Sequence, residues 1–169
     1  MNKRTIMIFP EFRNMHVIEG IRKKYDPLCD LVQPHITLVF PFESELSTCD
    51  IEDALKQVLA EVSSFSIELR GLTQFEQWIF LNVTRGGDII SKIHESLYCK
   101  CFSRFKPSWL KNYMPHLTVG QFPSAFEAQK VYEVEKCQAE TFHCVVKKIY
   151  VEIIGENEES IIETEYELR

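Results

Sequence analysis

Apolar residues along this chain recur at two periods, every second position or every third to fourth, and the two periods alternate in order. Residues 5–9 (TIMIF) form a β-leaning run closed by Pro10. Met15, Ile18, Ile21 and Tyr25 then fall at near-helical spacing, and Asp26-Pro27 stops them. Residues 34–40 (PHITLVF) predict a strand opened by a tolerated proline. The clearest helix spans 50–62, where Ile51, Ala54, Leu55, Val58, Leu59 and Val62 make one stripe. Residues 65–69 alternate as a half-buried strand.

The order then repeats. Residues 78–83 (WIFLNV) predict a strand, and Asp88 is an N-cap for a helix carrying Ile89, Ile90, Ile93 and Leu97. A basic loop leads to 115–119 (PHLTV), a second proline-opened strand. Ser124 and Glu127 form a capping-box signature for a further helix. Residues 142–154 read as strand, and after a turn at 155–157 residues 160–168 read as a last edge strand. The predicted fold is α+β: one domain over 1–169, built as a bilobal pseudo-twofold duplication. Each lobe is an antiparallel sheet with outer helices, and the lobes meet at a central cleft.

The chemistry lies in the two proline-opened strands. On a strand, residues i and i+2 share a face, so His35, Thr37 and Val39 look one way, and so do His116, Thr118 and Gly120. The alternate apolar residues belong against the helices, which turns both His-x-Thr sets into the cleft. Gly120 would leave room there for a ligand. With five histidines and eight threonines in 169 residues, chance supplies roughly 0.2 His-x-Thr matches. Two copies 81 residues apart, each preceded by proline, therefore form a pattern. Paired imidazoles on facing walls suit in-line displacement at phosphorus, one removing a proton from the attacking oxygen while the other protonates the leaving oxygen. The Thr37 and Thr118 hydroxyls can donate to the non-bridging oxygens. This scheme requires no metal and no cofactor.

Pro34-His35-Ile36-Thr37-Leu38 and Pro115-His116-Leu117-Thr118-Val119 resemble the twin signature of the 2H phosphoesterase superfamily, which includes RNA 2′,5′-ligases and cyclic nucleotide phosphodiesterases. The resemblance covers essentially the whole chain, and residues 22–27 (RKKYDP) resemble a bacterial subgroup of phosphoesterases without an assigned substrate. It implies a bilobal hydrolase in which His35 and His116 are catalytic and Thr37 and Thr118 hold the phosphate. The implied reaction opens a 2′,3′-cyclic phosphate on an RNA end or nucleotide, as in RNA processing. Two alternatives stand beside it: a phosphodiesterase on 2′–5′ linked or cyclic oligonucleotides, and a non-catalytic module that binds a nucleotide or RNA end. Relatives usually add a basic residue near a motif; Arg22 and Lys24 are the candidates here.

Composition narrows the partners. A net charge of −6 argues against wrapping a long duplex and favours a short phosphorylated ligand in a locally positive cleft. No apolar run reaches the about 7–15 residues of a signal peptide or the about 20 of a membrane span. A soluble cytoplasmic monomer, with no membrane partner, is expected. The six cysteines show no compact framework and are expected to be reduced and mostly buried. Cys99, Cys101 and His94 lack the two ligand pairs of a zinc site, and His16 and His143 have no partner motif. Lys100, Arg104, Lys106 and Lys111 alternate with Phe102, Phe105, Trp109 and Tyr113. The first expectation for this loop is core aromatics with solvated lysines, and the second is a path for a base or RNA tail.

Overall fold

The computed structural model describes residues 2–169. In chain order the elements are β1 (Asn2–Ile8), α1 (Met15–Tyr25), β2 (Ile36–Ser44), α2 (Thr48–Leu59), β3 (Phe65–Phe75), β4 (Trp78–Arg85) and α3 (Gly87–Leu97). A π-helical turn (Tyr98–Phe102) and a 3₁₀ turn (Ser103–Phe105) follow, then β5 (His116–Gln121), α4 (Ala125–Glu135), β6 (Thr141–Val146), β7 (Lys148–Ile154) and β8 (Ser160–Glu167). The strands form two four-stranded antiparallel sheets, in the orders β2-β1-β7-β8 and β5-β4-β3-β6.

Local chemistry sets where the helices begin. Ser47 Oγ accepts from the Asp50 amide while Asp50 accepts from the Ser47 amide, which sets the start of α2 three residues before its apolar stripe. Ser124 Oγ accepts from the Glu127 amide at α4. For α3 the expected cap is corrected: Gly86, at φ +80°, holds the N-cap position, and Asp88 lies inside the first turn. A Cβ on Gly86 would stand 2.6 Å from the Ser66 carbonyl oxygen, so the turn needs glycine for both conformation and space.

The duplication in the sequence and the division into sheets do not coincide. The third strand of the first repeat, β3, joins the second sheet, and β7 completes the first by pairing with β1. The continuous strand expected over 142–154 is therefore two strands. Phe142 pairs with Leu69 in one sheet and Tyr150 with Met7 in the other, so the chain changes sheets at Lys147. Helices are exchanged as well. α1, which follows a strand of the first sheet, packs on β5 of the second, and α3 packs on β2 of the first. The core runs through both lobes from Ile6, Ile36 and Leu38 to Leu81, Leu117 and Val119. Among the described residues no helix is long and apolar enough to cross a membrane. The six cysteines are free. Cys49, Cys99 and Cys137 are exposed and the other three half-buried, so the expectation of mostly buried thiols fails.

Candidate active site

β2 and β5 are edge strands of their sheets, and they lie against each other where the sheets meet. His35 immediately precedes β2 and His116 opens β5, so the exchanged architecture brings the two motifs to one junction. Their imidazoles are held alike. Nδ1 of His35 donates to the Gln33 carbonyl at 2.9 Å, and Nδ1 of His116 donates to the Met114 carbonyl at 2.7 Å, each two residues upstream. A proton fixed on Nδ1 leaves the Nε2 lone pair free in the neutral ring, so each histidine is oriented as a base. Phe80 stacks on His116 at 3.7 Å between centroids, and Phe9 stands edge-on to His35 at 6.3 Å. Burial pushes both imidazole pKa values below the ordinary histidine value. At His35 the backbone bond to Gln33 opposes the shift, while the positive charges of Arg22 and His116 add to it.

Thr37 pairs with Met7 and Thr118 with Phe80, which keeps each on its histidine's side. Beyond the threonines the alternation fails in both copies. One extra residue of β2 is accommodated between the partners of Met7 and Ile6, and one of β5 between the partners of Phe80 and Ile79, so Leu38 and Val119 are bulges at matching positions. Each bulge reverses the face of the residues after it. Val39 is fully buried in the core and not beside His35. Gly120 does not open onto a ligand: a Cβ there would lie 3.0 Å from Phe122 and 3.1 Å from Tyr25, so its bare backbone admits α1 onto β5. Gly120→Ala is expected to cost about 1–3 kcal/mol by overpacking, measured by urea denaturation.

The bulged stretch of β2 is held by three side chains from the other half of the chain and by Thr5 of β1. Tyr113 Oη donates to the Thr37 carbonyl at 2.7 Å, and buried His94 donates from Nδ1 to the Leu38 carbonyl at 2.7 Å. The Phe40 amide donates to Tyr98 Oη at 3.0 Å, and Thr5 Oγ1 donates to the Val39 carbonyl at 2.8 Å. His94 and Tyr113 stack 3.6 Å apart with planes 6° from parallel. Burial holds His94 toward the neutral form and pushes the Tyr113 phenol upward, so both remain in the forms these bonds use at neutral pH. Residue 113 thus grips the first motif while residue 114 holds the second. Tyr113→Phe would leave the Thr37 carbonyl without this donor, and a loss of about 1–3 kcal/mol is expected in denaturant titration.

The remaining candidates separate clearly. Arg22 is 1% exposed, bonded through Nε to Asp26 at 2.7 Å and through Nη2 to the Val32 carbonyl at 2.8 Å. It braces the loop that delivers His35. Lys24 is exposed, 3.9 Å from Glu135. In the basic loop Phe102 and Phe105 pack on Phe42, as the packing expectation required, while Trp109 is 64% exposed against Phe40. His16 and His143 are exposed. Among the described residues no three His, Cys, Asp or Glu side chains gather as a metal site, and His94 is bonded to Leu38 instead. Sequence reasoning missed the roles of His94, Tyr98, Tyr113, Phe80 and Phe9. The proximity of 113 to the second motif was the one available signal.

A bilobal fold of two four-stranded sheets is a class seen in solved structures. Over 99% of this chain and 98% of theirs, it superposes with a TM-score of 0.65 at 14% identity on E. coli LigT complexed with 3′-AMP, and equally on TT0787 of Thermus thermophilus. In sequence it is 30% identical over 153 residues to the Geobacillus kaustophilus protein named "Putative phosphoesterase", covering 88% of this chain and 86% of that one. Residues 9–158 match the 2′-5′ RNA ligase superfamily, and the chain belongs to that family, the 2H phosphoesterases.

Proposed function

We propose that this chain opens 2′,3′-cyclic phosphates on RNA ends or nucleotides, with His35 and His116 exchanging the roles of base and acid. The observation that carries the reading is the matched tether, an Nδ1–H bond from each imidazole to the carbonyl two residues upstream. One neutral ring accepts the proton of the attacking water through Nε2 as the oxygen closes on phosphorus. The other, protonated, releases its Nε2 proton to the ribose oxygen as the P–O bond breaks. The balance is water plus cyclic diester to monoester. Thr37 and Thr118 donate to the non-bridging oxygens as charge builds there. Similarity to a fold that holds 3′-AMP in the E. coli protein supports the choice, because that nucleotide carries phosphate at a position a 2′,3′-cyclic phosphate shares.

The test is turnover of the four 2′,3′-cyclic nucleotides with EDTA present, beside the His35→Ala/His116→Ala double variant. Turnover by the parent protein alone is expected. Tight binding of a cyclic phosphate without turnover at any pH would instead assign a binding module.

A further inference from the structure

A second concavity lies beyond Phe9, on the side of that ring's neighbour Tyr150. Where the chain crosses from β6 to β7, a groove of about 850 Å³ opens between the sheets. Phe9 and Tyr150, edge to face at 5.1 Å, form its wall on the first sheet, and Phe9 is the ring that also faces His35. The groove and the His35 side of the site therefore share a boundary. Arg13 enters it from the loop after β1, Arg85 from the end of β4, and Lys147 from the crossover. Register places Arg85 and His143 on either side of Glu68 in one cross-strand row. His143 lies 3.5 Å from Glu68, and Lys148 is paired with Glu165 at 2.6 Å.

Arg13, Arg85 and Lys147 are exposed, and among the described residues none has a carboxylate within ion-pair distance. Glu11 also lines the groove, and it leaves a surplus of positive charge there in a chain whose net charge is −6. Converging cations of this kind raise the local concentration of an anion. Cations beside an aromatic pair are the composition of a single-strand nucleic acid site, where bases stack and the backbone follows the charge. The groove's edge, β6, lies three strand spacings from β5, about 14 Å. A terminal cyclic phosphate seated between the histidines does not reach that far, whereas the phosphates preceding it in a strand do.

The geometry points to a single-stranded RNA, not a free nucleotide, as the substrate: its 3′-terminal cyclic phosphate lies between His35 and His116, and the preceding nucleotides run past Phe9 and Tyr150 to Arg13, Arg85 and Lys147. This rests on the proposed reaction for the end group, while the groove itself is tested by binding. In the His35→Ala/His116→Ala background, which blocks turnover, the probe is a labelled hexaribonucleotide ending in a 2′,3′-cyclic phosphate, read by fluorescence anisotropy. The hexamer is expected to bind at least about tenfold more tightly than a cyclic mononucleotide competitor, because two or more of its phosphates meet groove cations. Arg85→Glu with Lys147→Glu, both exposed positions, is expected to remove that advantage and flatten the log–log salt slope by about 1.4, roughly 0.7 for each cation removed. A hexamer that binds no better than the mononucleotide, or an affinity and slope unmoved by the charge reversals, overturns the groove. The two readings fail separately. Groove-dependent RNA binding with no turnover by the parent protein would sink the reaction and keep the groove. Equal kcat/KM on mononucleotide and hexamer would do the reverse.

Discussion

Alanine at either His35 or His116 is expected to lower kcat/KM on a 2′,3′-cyclic nucleotide by about 10²–10⁴. Each imidazole moves one proton in the same displacement, so losing either strands the reaction with an unassisted oxygen. The double variant should fall little below the worse single one, because groups that act as a unit are not additive. The tether gives the prediction a sharper edge. Each ring is aimed by one backbone bond from Nδ1, and alanine removes that bond with the ring while leaving the Gln33 or Met114 carbonyl at the surface of the cleft. Folding should survive, with a near-parental circular dichroism spectrum and denaturation midpoint. A single variant that keeps more than a tenth of parental kcat/KM would remove that histidine from proton transfer.

The second large effect is on pH. The competent free protein has one imidazole neutral and the other protonated, and burial lowers both pKa values from about 6.5. The fraction in the mixed state therefore peaks below pH 6.5, and kcat/KM should decline about tenfold per pH unit well above the peak. These are values of the pair, since each ring feels the other's charge. A bound phosphate favours the imidazolium, so the profile of kcat should lie at higher pH than that of kcat/KM. Stability moves in the opposite sense. For His35, His94 and His116 the folded pKa lies below the unfolded one, so the unfolded chain takes up protons first as pH falls below about 6.5. Stability is thus full above that pH and is lost as pH drops toward the folded values. The urea midpoint at pH 5.5 should be lower than at pH 7.5, and less so in the double histidine variant. A kcat/KM optimum above pH 7 would contradict the depressed pair.

The motif strands were legible because period-two alternation carries its own arithmetic: His35 with Thr37 and His116 with Thr118 could be placed on a face without a structure. Val39 and Gly120 show where that arithmetic stops. A bulge adds one residue and needs no distinctive side chain, so nothing in LVF or TVG announces that the face has reversed. His94 was opaque for a related reason. A histidine on the apolar side of a helix looks the same in sequence whether it fills the core or, as here, satisfies a carbonyl freed on a neighbouring edge strand. The family and the two-lobed fold followed from the duplicated motifs. The exchange of β3 and β7 between sheets did not, because pairing partners at long range leave no local mark.

That exchange bears on how the molecule is made. The second sheet draws its strands from one unbroken stretch, β3 to β6, whereas the first unites β1 and β2 with β7 and β8. The last residues are tied back to the middle of the chain, Arg169 through its amide to Val62 and through its carbonyl to the amide of Ser64. On a ribosome, where the amino-terminal part emerges first, the second lobe has all its strands available while the first still lacks half of its own. Until β7 arrives, the flank of β1 that will receive it stays open, with Ile6 and Met7 beside it. An open flank of that kind is where chains join one another. The first sheet, whose β2 follows His35, is thus the last part of this fold to close, and the interval before closure is when a nascent chain is most exposed to its neighbours.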